Sequence, residues 1–218
     1  MTCWRNALAV ALLLLWAVSA HLASTGVGPI DLHIAVAVTP LAFSALLLAF
    51  QTPWPGLAAS LVAGVSALVL AVAWPWLRGH VTWLYYLQHL GAHLALAAWF
   101  ARSLGAGREP VVSAMARMIA TGPLSARTRR YTRSVTLAWA LFLAGNALVS
   151  TLLFAWAPAE VWSVHANLLT GPLLGVFFLL EMLVRQRVLP PEDRPSIKDV
   201  ARAWQAQRGR SPASDRVA

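Results

Sequence analysis

Two histidines on one predicted helix, His89 and His93, are the side chains best placed for chemistry in this chain of 218 residues. Their spacing of i, i+4 puts both imidazoles on the same helix face. That arrangement suits a shared metal ion or a proton relay. In the alternative interpretation, each imidazole hydrogen-bonds to Asn146, Asn167 or a backbone carbonyl of a neighbouring helix and only holds the helices together. The pair by itself leaves both interpretations open.

Four further polar residues are candidates for the same site because they also lie in otherwise apolar segments. Such groups are costly inside a membrane, face the interior of a helix bundle and are functional candidates. They are Gln88, Asn146, His165 and Asn167. Together with His89 and His93 they form a hypothetical substrate-binding or proton site. Clamping a haem from both sides would need His165 or another ligand from a second helix, so we predict no metal site and no cofactor.

A catalytic nucleophile is not visible in the sequence. Serines occur without the G-x-S-x-G turn that exposes a nucleophilic hydroxyl. The single cysteine, Cys3, lies at the N-terminus, so the chain has neither an internal disulfide nor a thiolate metal cluster. We therefore name no catalytic residue, and the sequence favours a protein that is not an enzyme.

The elements that carry these side chains are predicted to be membrane-spanning helices. The chain is 59% hydrophobic and only 11% charged, whereas a soluble domain has about 25% charged residues. Its surface must therefore face something other than water. We predict an all-α, polytopic membrane protein.

About six segments are long and apolar enough to cross a membrane as helices, which takes about 20 residues each. They cover residues 6–23, 32–50, 57–77, 81–101, 134–157 and 161–184. Residues 1–184 would form the transmembrane domain, with a loop at 102–133 and a tail at 185–218. The first segment also resembles a signal peptide, whose cleavage would leave five spans. We favour an uncleaved helix because the apolar run continues to Ala23.

The positions of the basic residues predict the orientation. Of seventeen Lys and Arg residues, sixteen are Arg5, the seven arginines in the loop and the eight basic residues of the tail. Basic residues are retained on the cytoplasmic side, so both termini are predicted to be cytoplasmic, with only Arg78 outside. Topology thus explains the net charge of +9 without a nucleic-acid partner.

The cytoplasmic segments contain two short amphipathic patterns and an arginine cluster. Residues 110–121 and about 195–207 are each predicted to form a helix on the inner leaflet, and the chain beyond 208 is predicted to be disordered. Exposed arginines would contact anionic lipid or an acidic protein. These arginines are Arg108, Arg127, Arg129, Arg130 and Arg133. Within the last span, Glu181 is predicted to pair with Arg185 at i+4.

Several short motifs carry a family resemblance, and they lie between about Tyr85 and Trp204. They are Leu87-Gln88-His89-Leu90-Gly91-Ala92-His93, Gly107-Arg108-Glu109-Pro110, Tyr131-Thr132-Arg133, Ala138-Trp139-Ala140-Leu141-Phe142, Trp162-Ser163 with Ala166-Asn167, and Val188-Leu189-Pro190. Together they resemble a family of uncharacterised bacterial inner-membrane proteins. Members of that family are often encoded in gene clusters for aryl polyene pigments and related fatty-acid-like synthesis. The first three spans match it only in being hydrophobic.

The resemblance implies a cellular context rather than a reaction. Some family members carry a ketosynthase label, which this chain does not support because it lacks a thiolase-like core and a placed catalytic cysteine. In that context the protein would handle an aryl polyene or similar lipid during its synthesis or export. Alternatively, it would be a scaffold that docks acyl carrier protein, or polyketide and fatty-acid synthesis enzymes, through its cytoplasmic arginines. A histidine-dependent membrane enzyme, or a haem or metal protein, is the third alternative.

Overall fold

The computed structural model describes residues 3–120 and 122–193. Every regular element in these ranges is helical, and no strand occurs among them, which confirms the predicted all-α class. The helices are α1 (Cys3–Ser24), α2 (Ile30–Ala49), α3 (Pro55–Ser103), α4 (Val111–Ile119), α5 (Ala126–Trp156), α6 (Ala159–Ser163) and α7 (Thr170–Val188). A π-helical segment, Val164–Leu169, joins α6 to α7, and a 3-10 turn follows at Pro191–Asp193.

Four helices among the described residues are long and apolar enough to cross a membrane. They are Ile30–Ala49, Pro55–Ser103, Ala126–Trp156 and the run Ala159–Val188, while α1 contributes a shorter apolar stretch, Leu14–Ser24. Large apolar side chains on these helices are widely exposed, for example Leu68 at 65% and Val72 at 74%. Contiguous apolar surface on this scale is unfavourable in water and suits contact with lipid.

Helix α3 is interrupted once, at His80, where a connection between two spans is predicted. The backbone of His80 is non-helical, with φ −135° and ψ 27°. Gly79 precedes it and weakens the helix locally, because glycine has a low helix propensity. The His80 ring stacks on Trp76, with ring centroids 4.3 Å apart and an interplanar angle of 5°. The interruption is therefore confined to one residue rather than spread over a loop.

The chain divides into two compact units. Unit 1 comprises Met1–Ala92 and Ala147–Pro172, and unit 2 comprises His93–Asn146 and Leu173–Ala218. The core of unit 1 is built from small and aromatic side chains: Ala20, Ala23, Ile34, Ala37, Leu77, Val81, Tyr85, Tyr86, Trp162 and Ala166. Alanines at these positions let α1 and α2 approach closely, as small residues do at membrane helix contacts.

Unit 2 has a second core, centred on the aromatic ring of Trp139. The Phe177 ring lies 4.5 Å from it at 66°, and Phe178 lies at 4.6 Å. Tyr131 and Leu143 are buried in the same cluster. Offset and edge-on aromatic packing of this kind adds about 0.5–1.5 kcal/mol per pair beyond the area that it buries.

A helix is predicted at 110–121, and the structure confirms one there as α4. Its contact with α5 is polar as well as apolar: the Val112 amide donates to Thr136 Oγ1 at 3.2 Å, and Ser113 Oγ lies 2.6 Å from Thr132 Oγ1. Met115 and Met118 remain exposed on the opposite side. The second predicted helix, at 195–207, and the predicted disorder beyond 208 lie outside the described residues.

Candidate functional site

The most concentrated polar cluster that includes predicted site residues lies in unit 1, where His89 of α3 meets His165 and Thr170. His89 Nε2 lies 3.1 Å from Thr170 Oγ1, and the two imidazole centroids are 6.1 Å apart. Thr170 Oγ1 donates its single proton to the His165 carbonyl at 3.0 Å. The threonine oxygen can then only accept from His89, so the Nε2 atom of His89 carries the proton.

The π-helical segment Val164–Leu169 explains how Thr170 reaches this position. Its wider turn lets both the Thr170 amide and the Thr170 hydroxyl bond to the carbonyl of His165, five residues earlier. Pro172 follows closely; it has no amide to continue the regular hydrogen-bond ladder, which favours an irregular turn nearby. Single π-turns inside α-helices occur frequently at functional sites. A proline within an apolar span by itself indicates only a kink, so the π-helical turn is a finding of the structure.

Asn167 lies on the same π-helical segment but has a different partner from the one expected. Its Nδ2 donates to Ser163 Oγ at 2.9 Å, and His21 Nδ1 lies 2.9 Å from the same oxygen. Ser163 is fully buried and Asn167 is buried. The serine hydroxyl therefore joins an amide and an imidazole from two elements, α1 and the π-helical segment.

His33 of α2 is also buried in unit 1, and both of its ring nitrogens are bonded. Nε2 lies 2.8 Å from the Val27 carbonyl, which can only accept, so Nε2 is protonated and Nδ1 accepts from Ser19 Oγ at 3.1 Å. The Gly28 backbone, at φ +100°, passes so close that an added Cβ would lie 3.1 Å from His33 Nε2. With its hydrogen bonds complete, His33 is best explained as a structural residue.

Gln88 has a structural contact as well. Its Nε2 donates to the Ala37 carbonyl at 2.9 Å, which ties α3 to α2 within unit 1. The side chain thereby satisfies a helix carbonyl, a role that amides commonly have between membrane helices. This contact explains Gln88 without a ligand.

The two remaining predicted site residues, His93 and Asn146, belong to unit 2 and bond to each other. Asn146 Nδ2 lies 2.9 Å from His93 Nε2, and both side chains are buried. An amide nitrogen can only donate, so in this arrangement His93 accepts at Nε2 and carries its proton on Nδ1. One of the partners foreseen for the histidine pair, Asn146, is thus the observed partner of His93.

The predicted ion pair between Glu181 and Arg185 is confirmed, and it has a third member. Arg185 Nε donates to Glu181 Oε1 at 3.0 Å, and the second guanidinium nitrogen contacts the other carboxylate oxygen. Tyr131 of α5 donates its hydroxyl to the same carboxylate at 2.9 Å. Glu181 is only 8% exposed, so the carboxylate is buried with two donors, as a buried charge requires.

The arginines that are predicted to contact the membrane surface or a partner all have exposed side chains. Arg127, Arg129, Arg130 and Arg133 lie on the first turns of α5, and Arg108 lies in the loop before α4. Two of them also bond to backbone: Arg129 to the Leu124 carbonyl at 3.1 Å and Arg133 to the Leu104 carbonyl at 2.8 Å. Their guanidinium groups are therefore accessible to an anionic surface.

Sequence reasoning missed the hydroxyl residues that connect these polar groups, above all Thr170, Ser163 and Tyr131. Serine and threonine are common in membrane helices, where they bond to their own helix, and tyrosine is common at membrane interfaces, so the occurrence of these residues carries little signal. No set of three His, Cys, Asp or Glu residues within the described ranges is grouped as metal ligands. No family model, curated protein or solved structure matches the chain. The family resemblance of its motifs therefore remains a prediction.

Proposed function

We propose that this chain is a multi-pass membrane protein that handles an amphipathic lipid and contacts its polar end through His89, His165 and Thr170. The observation that carries the proposal is the junction of two imidazoles and a hydroxyl at a π-helical turn. The surrounding helices expose mainly apolar side chains. Polar groups gathered within such helices face the interior or a substrate path and are functional by default.

The cluster can form hydrogen bonds with a polar group without carrying a full charge. A neutral imidazole has one donor nitrogen and one acceptor nitrogen, and the Thr170 oxygen, whose proton is donated to the His165 carbonyl, can add only an acceptor. Such a set suits a hydroxyl, carbonyl or carboxyl group at the end of an acyl chain. The apolar remainder of the lipid would lie along the exposed leucine and valine side chains of the spans. The motif resemblance suggests that this lipid is an aryl polyene or a related acyl product.

The length of α3 supports a multi-pass arrangement. Helix α3 has 49 residues and would extend about 74 Å if it were straight, at about 1.5 Å per residue. The hydrocarbon core is only about 30 Å thick, so α3 fits two spans that turn at His80. Counting α1 as a span gives six, with both termini on the basic, cytoplasmic side.

The test is labelling of the protein in cells with a photoreactive, clickable fatty acid that enters the lipid pool. Labelling should fall several-fold in His89→Leu and Thr170→Val, because each change removes a hydrogen-bonding group from the cluster. His89→Gln retains a donor and an acceptor and should keep part of the labelling. His80→Leu is the matched control, because it removes an exposed imidazole from the same helix.

Two results would overturn the proposal. The first is unchanged labelling in a folded His89→Leu protein. The second is a haem absorption band or a stoichiometric metal in the purified wild-type protein, which would favour the histidine-dependent enzyme instead.

A second candidate, a scaffold for soluble synthesis enzymes, is favoured by the exposed arginines at the start of α5. Arg127, Arg129, Arg130 and Arg133 fall within two turns of one helix and present their charge to solvent. Acyl carrier proteins are acidic, and exposed complementary charge would speed and steer their docking. The same arginines are also explained by topology and anionic lipid, so this candidate ranks second.

A further inference from the structure

An open groove of about 470 Å³ lies in unit 2, near the C-terminal end of α3. Its lining consists of Ala95, Ala98, Trp99, Arg102 and Arg108. Ala95, Ala98 and Arg102 are spaced i, i+3, i+7, so they follow one face of the helix. The groove is therefore apolar along the helix and strongly basic at one end.

The loop after α3 places the second arginine beside the first. Gly107 has φ +71°, a conformation that favours glycine, and the Arg108 amide donates to the Gly105 carbonyl at 3.2 Å. Arg108 Nη1 then lies 3.4 Å from the Arg102 carbonyl. The tight turn thus holds two guanidinium-bearing residues at one end of the groove.

Within the described part of the chain, neither arginine is neutralised by a carboxylate. The ion pairs between described residues join Asp31 to Arg78, Glu109 to Arg117 and Glu181 to Arg185. Glu109, the acidic neighbour of Arg108 in sequence, is engaged by Arg117 through bonds of 2.8 and 2.6 Å. Positive charge at the groove is thus available for an external anion.

We propose that this groove binds an anionic phospholipid of the surrounding membrane. The phosphate would lie between the guanidinium groups of Arg102 and Arg108, which match phosphate geometry through paired N–H donors. One acyl chain would lie against Ala95, Ala98 and the exposed face of Trp99. Small residues leave room for the chain, and tryptophan is enriched where head groups meet hydrocarbon. Basic pockets beside membrane helices are known to hold phospholipid head groups in this way.

This site is separate from the His89 cluster and does not rest on the proposed function. It lies wholly within unit 2, whereas His89, His165 and Thr170 belong to unit 1. The two sites are tested by different assays, because fatty-acid labelling reports on the cluster and phospholipid retention reports on the groove. A change that destroys one site should therefore leave the result of the other assay unchanged.

The test measures retained phospholipid on the full-length protein by native mass spectrometry after reconstitution in phosphatidylglycerol or phosphatidylcholine. Phosphatidylglycerol should be retained preferentially by the wild type. The pair Arg102→Gln with Arg108→Gln should lower this retention about tenfold, because two head-group contacts are lost. The control pair Arg208→Gln with Arg210→Gln removes the same charge outside the groove and should keep the preference.

A second variant separates a lipid from a free anion. Ala95→Leu with Ala98→Leu fills the apolar half without changing charge, so phosphatidylglycerol retention should fall although both arginines remain. Inorganic phosphate at millimolar concentration should not displace the lipid, since it cannot replace the acyl-chain contact. The proposal is overturned if both arginine pairs lose retention equally, if filling the groove has no effect, or if phosphate competes fully.

Discussion

At the scale of single residues, serine and threonine hydroxyl groups are the hydrogen-bond partners of several histidine and asparagine nitrogens. Thr170 accepts from His89, Ser19 donates to His33, and Ser163 joins Asn167 to His21. A hydroxyl can donate once and accept twice, so it can complement either a protonated imidazole nitrogen, as Thr170 does for His89, or an unprotonated one, as Ser19 does for His33. His33 and His89 are both buried, and they differ in which hydrogen-bond partners surround them.

The bond between His93 and Asn146 predicts a measurable coupling. His93→Leu and Asn146→Ala should each lower the free energy of unfolding by about 1 kcal/mol, as polar contacts between membrane helices do. The double variant should lose less than the sum, because either change already breaks the bond. Unfolding by SDS in mixed micelles would measure the free energy of unfolding of each variant. His80→Leu is the control, and strict additivity of the two losses would contradict the contact.

At the scale of elements, the N-terminus of α5 is capped by Ser125 and by Asp193, which is the last residue that the structure describes. Ser125 Oγ accepts from the Thr128 amide at 3.0 Å, as an N-cap residue does. Asp193 accepts from Ser125 Oγ at 2.6 Å and from Thr128 Oγ1 at 2.9 Å. These two hydrogen bonds hold the pKa of Asp193 below its ordinary value of 3.8, and the bond from Ser125 has the larger effect. An anion at a helix N-terminus is also favoured by the helix dipole.

This cap predicts a pH dependence of a defined sign. Because the pKa is lowered by folding, the carboxylate stabilises the α5 start above about pH 3.8 and loses that effect as the pH falls through the lower, folded value. Asp193→Asn should therefore speed amide exchange at the start of α5 at pH 6. As the pH is lowered below 3.8, the difference between wild type and variant should shrink, after correction for intrinsic exchange rates. A difference that stays constant down to the lowest pH at which the protein is folded would show that the carboxylate charge is not the cause.

At the scale of the whole molecule, the apolar surface supports a membrane protein, and the basic segments predict its orientation. Four described helices are long and apolar enough to cross. The basic residues cluster in the segment from Arg102 to Arg133 and in the tail. Translocating these clusters would be unfavourable, so we predict that they lie on the same, cytoplasmic side.

Reporter fusions test this orientation directly. Alkaline phosphatase and a cytoplasmic fluorescent protein should read cytoplasmic when fused after Arg129 or after Arg210, and periplasmic after Glu160. The positive-inside distribution is the physical reason. A periplasmic reading at Arg129 would reverse the topology. Fusion after Arg78 provides an internal check, since it should read periplasmic if α3 turns at His80.

The scaffold candidate is tested by changing Arg127, Arg129 and Arg130 together to Gln. The other loop arginines still hold the segment inside, so the topology should survive. If the protein handles lipid, the variant should still support product export and should still be labelled by the fatty acid. Under the scaffold alternative, it loses salt-sensitive co-purification with an acidic carrier protein and lowers product yield. We expect the first outcome, because topology already explains these arginines.

Helix positions and local pairs follow from the amino-acid sequence alone. Long apolar runs must form helices in a membrane, because every backbone group needs an internal hydrogen bond there. The ion pair of Glu181 with Arg185 follows in the same way, since a spacing of i, i+4 brings two side chains together on any helix. Proline at position 110 and the apolar periodicity after it also predict α4.

Partner choice between helices required the tertiary structure. His89 and Thr170 are 81 residues apart, and Tyr131 and Glu181 are 50 apart. Their meeting depends on how each helix is rotated about its axis. In a soluble helix the apolar stripe reveals that rotation. In these helices the lipid-facing side is as apolar as the packed side, so the periodicity of the sequence does not distinguish them, and packing within each unit decides which polar groups meet.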